Sequence, residues 1–145
     1  MIRKIIILSG GFDPVHKGHV RMFKAASQIG DVVVGANSDA WLIRKKGKYF
    51  MPFEERKEIL DSIKYIDSVL SFNDNDNTAC QLISDVKNKF KNEEVELFFG
   101  NGGDRTNETT PEMEFCEKNN IGLIWDLGGE KIQSSSDLLK KYDQD

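Results

Sequence analysis

Short apolar runs alternate along this chain with longer segments in which apolar residues recur at helical spacing. The first run, Ile5-Ile6-Ile7-Leu8, has the length and composition of a buried strand. Together the runs predict strands at residues 4–9, 31–36, 67–72, 95–99 and 122–126. The segments between them predict helices at residues 18–29, 52–64, 78–90, 110–119 and 134–141, with a short helical piece at 38–43. This alternation favours a parallel sheet covered by helices.

The length of the chain is that of one compact domain. Its 145 residues suffice for a single core, so we expect one domain over residues 1–145. The fold class that the pattern predicts is α/β, a Rossmann-like doubly wound domain with about five parallel strands. Ligands of such domains bind at the carboxyl ends of the strands, so the chemistry is expected in the loops that follow them.

Both histidines lie in the loop that follows the first predicted strand. Gly10 and Gly11 end that strand, and His16, Gly18 and His19 lead into the first helix. A strand that opens through glycines onto a helix presents free N–H groups and a positive helix end to an anion, which makes phosphate chemistry the leading hypothesis. A metal pair is less favoured, because the chain has no further histidine and no CxxC motif to complete a ligand shell.

A basic run follows the short helical piece at residues 44–48. Its cations are Arg44, Lys45, Lys46 and Lys48. On an otherwise acidic chain they suit a triphosphate or pyrophosphate, because each gives charge-assisted hydrogen bonds. Taken alone, such a run is more typical of a solvated loop.

Two later loops are expected at the same edge of the sheet. The loop after the fourth strand is rich in glycine and contains Gly103, Asp104 and Arg105, which suit a base or ribose and a phosphate. It is not a GxGxxG fingerprint, because Arg105 occupies the place of the last glycine. The last helix opens with three hydroxyl side chains, Ser134, Ser135 and Ser136. They predict a helix cap and a second anion cradle.

Composition narrows the class of partner. The net charge is −4, so no positive field over the whole chain attracts nucleic acid or an anionic membrane. No leader or long apolar span is visible, and we expect a soluble cytoplasmic protein that binds small molecules. Cys80 and Cys116 are expected as buried thiols. Trp41 and Trp125 are expected in the core or in a subunit contact.

Five segments stand in an order and spacing that can be compared with known families: GGFDPVHKGH, GANSDAWLIRKKGK, PFEERKEIL, KYID at residues 64–67, and the serine run. Over nearly the whole chain they resemble the cytidylyltransferase-like family of nucleotidyltransferases. The HxGH element from His16 to His19 is the most specific of them in this strand-loop-helix context.

The resemblance implies an enzyme that transfers a nucleoside monophosphate from CTP or ATP to a phosphorylated sugar, polyol or amino alcohol and releases pyrophosphate. The catalytic residues it implies are His16, His19, Lys45 and Ser134. The nucleotide-binding residues it implies are Gly10, Gly11, Phe12, Gly18, Gly103, Asp104, Arg105, Ser135 and Ser136. Lys48 and Arg56 are second candidates for phosphate contacts, and Asp13 is expected to support the loop.

The same resemblance implies Mg²⁺ bound with the nucleotide, no metal site of the protein's own, and a homodimer. The dimer contact is expected near residues 64–67 and the helix before them, where Ile59, Leu60, Ile63 and Tyr65 exceed one apolar helix face.

Some departures from the family pattern bear on the substrates. Lys131 stands near the place of an arginine in the glycerol-phosphate enzymes, and residues 31–41 resemble the nucleotidyltransferase domain of ADP-heptose synthases. CTP is slightly favoured over ATP by the short stand-alone chain. The alternative is a non-catalytic nucleotide-binding domain. A tRNA synthetase is disfavoured, because the chain lacks room for an anticodon-binding region.

Overall fold

The computed structural model describes residues 2–102, 110–129 and 138–140. Its elements are β1 (Arg3–Gly10), α1 (Lys17–Ser27), β2 (Asp31–Ala36), α2 (Asp39–Lys46), α3 (Phe53–Asp61), β3 (Ser68–Leu70), α4 (Cys80–Lys89), β4 (Val95–Gly102), α5 (Pro111–Lys118) and β5 (Gly122–Leu127). The five predicted strands are confirmed, and so are the helices as far as α5. Of the last predicted helix, residues 138–140 are helical and the others lie outside the described residues.

The five strands form one parallel sheet in the order β3-β2-β1-β4-β5. β1 is central, because the chain first builds outward through β2 and β3 and then adds β4 and β5 on the other side. The predicted Rossmann-like α/β class is confirmed. The strand order reverses between β1 and β4, and this is where domains of this kind bind their ligands.

Side chains of β1 alternate between two apolar clusters, one on each face of the sheet. Ile6 belongs to the cluster with α1 and α3, and Ile5 to the cluster with α4 and α5. The four residues from Ile5 to Leu8 are at most 1% exposed. The loop that carries the histidines therefore directly follows the most deeply buried strand of the sheet.

Helix α2 is longer than predicted and carries most of the basic run. It ends at Lys46, because Gly47 adopts a φ of 85° and donates its N–H to the Ile43 carbonyl at 2.8 Å. Arg44 and Lys45 therefore project from the last helical turn and not from a loop.

The apolar residues that predicted a subunit contact are mostly part of the core. Leu60 is fully buried, and Ile63 and Tyr65 pack against the apolar cluster that the sheet forms with α1 and α3. Ile59 alone of these four is exposed, at 39%. The core thus accounts for most of the surplus on which the predicted contact was based, and the homodimer stays a prediction.

The thiols match their expectation in part. Cys116 is buried, and burial raises its pKa to about 11. Cys80 is half-buried, and burial also raises its pKa. Among the described helices, none has the length and apolar character needed to cross a membrane.

Candidate active site

His16 and His19 together cap the first turn of α1. His16 is the N-cap residue, and its Nδ1 accepts a hydrogen bond from the Gly18 N–H at 3.1 Å. His19 Nδ1 accepts one from the His16 backbone N–H at 3.2 Å, which closes a reciprocal capping box. Because Nδ1 is the acceptor in both rings, each neutral imidazole carries its proton on Nε2. The pair therefore has two Nε2–H donors at the positive end of a helix.

Aromatic contacts hold the two imidazoles in place. Their ring centroids lie 3.8 Å apart with an interplanar angle of 22°, which is a stacked arrangement. The Phe12 ring meets His19 edge to face at 5.0 Å and packs on Phe23 at 5.5 Å. Phe12 is 3% exposed and adopts a φ of 52°. The directions of both Nε2 atoms are thus fixed before any ligand binds.

The His19 imidazole is electrically neutral near pH 7. Burial, the adjacent His16 ring and the positive charge of Lys46 together lower its pKa from 6.5 to about 3. Burial likewise lowers the pKa of Lys46, Lys45 lowers it further, and Asp13 opposes this. Lys46 is therefore within electrostatic range of His19 and of Asp13.

The helical register explains how Lys46 comes within electrostatic range of His19. Leu42 is fully buried and lies 3.0 Å from the position that a Cβ on Gly11 would take. Lys46 follows one turn later on the same side of α2. The sequence prediction selected Lys45, and the relevance of Lys46 emerges only once α2 is known to extend through it.

Two glycines allow close packing at the end of β1. A Cβ on Gly10 would lie 2.9 Å from Phe12 Cζ, and one on Gly11 would meet Leu42. Gly18 donates its N–H to His16 Nδ1, so this N–H is used within the capping box. These three glycines, Phe12 and both histidines are brought together, as predicted.

Asp13 has the supporting role expected of it. It is 2% exposed, and its two carboxylate oxygens accept the backbone N–H groups of Phe50 at 2.6 Å and Met51 at 2.7 Å. Both oxygens are thereby occupied. Asp13 ties the segment between α2 and α3 to the histidine loop.

A buried carboxylate anchors the start of α2. Asp74 accepts hydrogen bonds from the Asn37 side chain at 3.1 Å, the Ser38 N–H at 2.8 Å and the Ser38 hydroxyl at 2.7 Å. Burial would raise its pKa, but these bonds outweigh burial and the pKa is lowered. The Ser38 hydroxyl caps α2 at the Trp41 N–H, and the Asn37 N–H bonds the Gly10 carbonyl at 2.9 Å. The network thus fixes α2 against the end of β1.

Trp41 and Lys45 form a pair beside the histidine loop. The Lys45 Nζ lies 4.6 Å from the centroid of the Trp41 indole, and Trp41 Cζ3 lies 3.8 Å from the Cβ position of Gly11. Trp41 is half-buried at this rim, so it is not a core residue. The predicted alternative, a subunit contact, stays a prediction. Trp125 is also outside the core, at 38% exposure.

The two arginines near the basic run bind protein groups. Arg44 donates to the Asp74 carbonyl at 2.8 Å and to Asn77 Oδ1 from Nε at 3.2 Å and from Nη2 at 3.1 Å, which braces the loop after β3. Arg56 is fully buried and bonds four protein oxygens. Burial and these four bonds leave Arg56 little capacity to contact a phosphate, and that candidate role stays a prediction. Lys48 is exposed.

The remaining predicted site residues lie outside the described residues: Gly103, Asp104, Arg105, Ser134, Ser135 and Ser136, and with them Lys131. The chain on either side of them can be described. A Cβ on Gly102 would lie 3.7 Å from Met22 Sδ, and one on Gly128 would lie 2.8 Å from the Met22 backbone nitrogen. The chain therefore leaves both β4 and β5 beside α1, the helix that the histidines cap.

In residues 2–102, 110–129 and 138–140, no group of three or more His, Cys, Asp or Glu side chains is placed to hold a metal ion. The described groups at this place are imidazole donors, a helix N-terminus and lysines, which are of the kind that suits an anion.

Comparison with known proteins agrees with this geometry. A family model described as cytidylyltransferase-like matches residues 7–138. Glycerol-3-phosphate cytidylyltransferase of Bacillus subtilis (strain 168) is 38% identical over 68 residues, which are 46% of this chain and 53% of that protein. FAD synthase of Pyrococcus horikoshii is 39% identical over 71 residues, which are 47% of this chain and 48% of that protein.

Longer and more distant matches agree as well. The bifunctional protein HldE of Escherichia coli O9:H4 (strain HS) is 28% identical over 152 residues, which are 98% of this chain and 28% of HldE. Each of these curated relatives is thus matched over about half of its length or less. The structure of a lipopolysaccharide core biosynthesis protein from Thermoplasma volcanium GSS1 superposes with a TM-score of 0.60 at 19% identity, over 84% of this chain and 94% of that one, which shows a shared fold. Because the family model matches the chain from β1 to residue 138, this protein belongs to the cytidylyltransferase-like family of nucleotidyltransferases.

Proposed function

We propose that this protein transfers a nucleoside monophosphate from CTP or ATP to a phosphorylated sugar, polyol or amino alcohol. A phosphate oxygen of the acceptor attacks the α-phosphorus of the nucleotide. The bond between that phosphorus and the oxygen bridging to the β-phosphate breaks, and pyrophosphate leaves with the bonding electrons. The observation that supports this most is the capping box of two histidines at the N-terminus of α1.

The capping box suits this reaction because the reaction needs alignment and charge stabilisation more than proton transfer. Negative charge grows on the oxygens around the α-phosphorus, and the two Nε2–H donors are oriented for such oxygens before the substrate binds. The acceptor phosphate is already ionised near neutral pH, so no side chain must remove a proton from it. His19, with a pKa of about 3, acts as a neutral donor throughout.

Lys46 and Lys45 have different partners and, we propose, different roles. Lys46 lies near His19 and would neutralise charge on the nucleotide phosphates. Lys45 lies over Trp41 at the rim of the histidine loop, and the lysine whose charge acts on His19 is Lys46 and not Lys45. We therefore assign Lys45 to the acceptor phosphate.

The Trp41 and Lys45 pair bears on the class of acceptor. An exposed contact between a lysine and an indole is worth about 0.5–1 kcal/mol, so a phosphate can draw Lys45 off the ring. The bared indole would then contact the carbon skeleton of the acceptor. Sugar and polyol phosphates suit this wall better than amino alcohol phosphates, because the lysines of α2 repel a second cation.

Magnesium enters in this proposal as part of the nucleotide substrate. The two oxygens of Asp13 already accept backbone hydrogen bonds, and the described residues contain no cluster of carboxylates for a resident ion. Phosphate oxygens and water are the ligands that Mg²⁺ favours in such complexes.

The rest of the site is assigned by sequence alone. Gly103, Asp104 and Arg105 would contact the base, ribose or a phosphate, and Ser134 and Ser135, with Ser136, would hold the leaving pyrophosphate. The homodimer and the cytoplasmic location likewise remain predictions.

The test is pyrophosphate release by the purified protein with Mg²⁺, CTP or ATP, and a panel of phosphorylated sugars, polyols and amino alcohols. The key variant is His16→Asn, because the asparagine Oδ1 can still accept the Gly18 N–H while the Nε2 donor is removed. Lys87→Met is the matched control, because Lys87 contacts Asn119 at the far end of the sheet.

We expect release that requires one nucleotide and one acceptor, falls at least about a hundredfold in His16→Asn, and is unchanged in Lys87→Met. Binding of CTP or ATP without release for any pair would overturn the proposal and favour a non-catalytic nucleotide-binding domain.

A further inference from the structure

Arg56 of α3 bonds four residues, in three separate segments of the chain, around the histidine loop. It is 0% exposed, and its Nε donates to the Met51 carbonyl at 2.9 Å. Its Nη1 donates to the carbonyls of Gly11 and Asn37, each at 2.8 Å, and its Nη2 donates to Asp39 Oδ1 at 2.7 Å. Four of the five N–H donors of the guanidinium are thereby satisfied. A buried charge needs such extensive hydrogen bonding, and Asp39 supplies the opposite charge.

The bond to the Gly11 carbonyl fixes the orientation of one peptide group. In a trans peptide the C=O and the following N–H point in opposite directions. Since the Gly11 carbonyl points at Arg56, the Phe12 N–H points away from it. Among the residues that the structure describes, the Phe12 N–H has no protein acceptor.

The side chain of Phe12 holds the other side of this peptide. Its φ of 52° is uncommon for a residue other than glycine. The ring is 3% exposed and packs against His19, and a Cβ on Gly10 would lie 2.9 Å from it. The guanidinium and the buried ring therefore restrain the peptide from both ends, so it cannot rotate freely.

We propose that Arg56 is a positioning residue that aims the Phe12 N–H at the phosphate bound by the two histidines. Arg56 touches no substrate and acts through the Gly11–Phe12 peptide. The Asn37 carbonyl, which shares Nη1 with Gly11, keeps the ends of β1 and β2 at a fixed separation, because the Asn37 N–H also bonds the Gly10 carbonyl. This inference rests on the proposed function, since it supplies a backbone donor to the same anion site.

The test follows individual donors by NMR while inorganic tripolyphosphate is added. The variants are Arg56→Lys and Arg56→Met, and the control is Val86→Ala, a fully buried residue of α4 on the opposite face of the sheet. Urea unfolding of each variant separates a general loss of stability from a local effect. The signals are the Phe12 amide and the ring protons of His19.

In the wild type we expect tripolyphosphate to shift both signals. In Arg56→Lys we expect the His19 shift to persist and the Phe12 amide shift to be lost, with kcat at least about tenfold lower and KM for the acceptor little changed. Val86→Ala should keep both shifts, however much stability it loses. Arg56→Met should behave as Arg56→Lys does, and Arg56→Lys carries the test if Arg56→Met does not fold.

The outcomes separate the two proposals. A Phe12 amide shift that is absent in the wild type, or equally large in Arg56→Lys, overturns the positioning role and leaves the transferase proposal intact. If neither signal responds to tripolyphosphate in the wild type, the anion site itself is refuted, and the positioning role with it.

Discussion

The strongest quantitative prediction concerns the pH dependence of folding and the variant His19→Asn. The asparagine Oδ1 can accept the same His16 N–H that His19 Nδ1 accepts at 3.2 Å, so the helix cap is kept. The variant removes the titrating imidazole and no other ionisable group. Wild type and variant should therefore differ in how their free energy of unfolding changes with pH.

The sign and size follow from the shift in pKa. The folded state holds the pKa of His19 at about 3, below the value of 6.5 for a free imidazole. Between these two pH values the unfolded chain therefore binds a proton on His19 and the folded protein does not. The imidazole therefore leaves stability intact above pH 6.5 and reduces it progressively as the pH falls towards 3. Between pH 7 and pH 4.5 the expected loss is about 2.5 kcal/mol at 1.36 kcal/mol per pKa unit.

The assay is urea unfolding of both proteins at pH 7 and pH 4.5. Other groups titrate alike in the two proteins, so the wild type should lose about 2.5 kcal/mol more than His19→Asn over this interval. An equal loss in both proteins would refute the reasoning, because it would mean that the folded protein accepts a proton on His19 as readily as the unfolded chain does. The result is insensitive to the exact folded pKa, since pH 4.5 lies well above it.

Three further changes test the surroundings of the histidines. Lys46→Met removes a nearby cation, so it should raise the pKa of His19 in an NMR titration and weaken tripolyphosphate binding about tenfold. An unchanged pKa would mean that the charge of Lys46 does not act on His19. Gly10→Ala places a Cβ 2.9 Å from Phe12 Cζ, so urea unfolding should show a free energy of unfolding lower by about 1–3 kcal/mol, and pyrophosphate release should fall. Unchanged values would mean that the Phe12 ring moves aside freely. Asp74→Asn should lower the free energy of unfolding by about 1–3 kcal/mol at pH 7. Because the folded pKa of Asp74 is lowered, the wild type should lose this stabilisation as the pH falls below 3.8, and the variant should not. Parallel curves of unfolding free energy against pH for the two proteins would contradict this.

The sheet and the histidine loop were predictable because their signals are local. The run Ile5-Ile6-Ile7-Leu8 is apolar at every position, as a strand covered on both faces requires, and the two glycines after it mark where it ends. Strand order was not in the pattern itself. The order β3-β2-β1-β4-β5 comes from the structure, and it agrees with the predicted doubly wound class.

The neighbours of the histidines were less predictable because they come from distant parts of the chain. Arg56 has the sequence appearance of one more surface cation in a helix, and nothing local shows that Gly11 and Asn37 lie at its guanidinium. The role of Lys46 was missed because the predicted helix ended too early, at residue 43. Gly47, a common residue at the end of a helix, is the signal that could have corrected this boundary. Leu60 was assigned to a subunit contact because a sequence cannot tell which apolar residues the core uses.

The central place of β1 bears on how the protein moves. The residues of β1 from Ile5 to Ile7 are paired on both sides and 0% exposed, and such backbone amides exchange with solvent only when the whole domain opens. Residues 43–50, at the end of α2 and in the segment after it, are all exposed. Hydrogen exchange should accordingly be slowest in β1, directly behind the histidines, and faster at Lys48 and Tyr49, which follow the end of α2. The histidine loop therefore begins at the part of the domain that opens last.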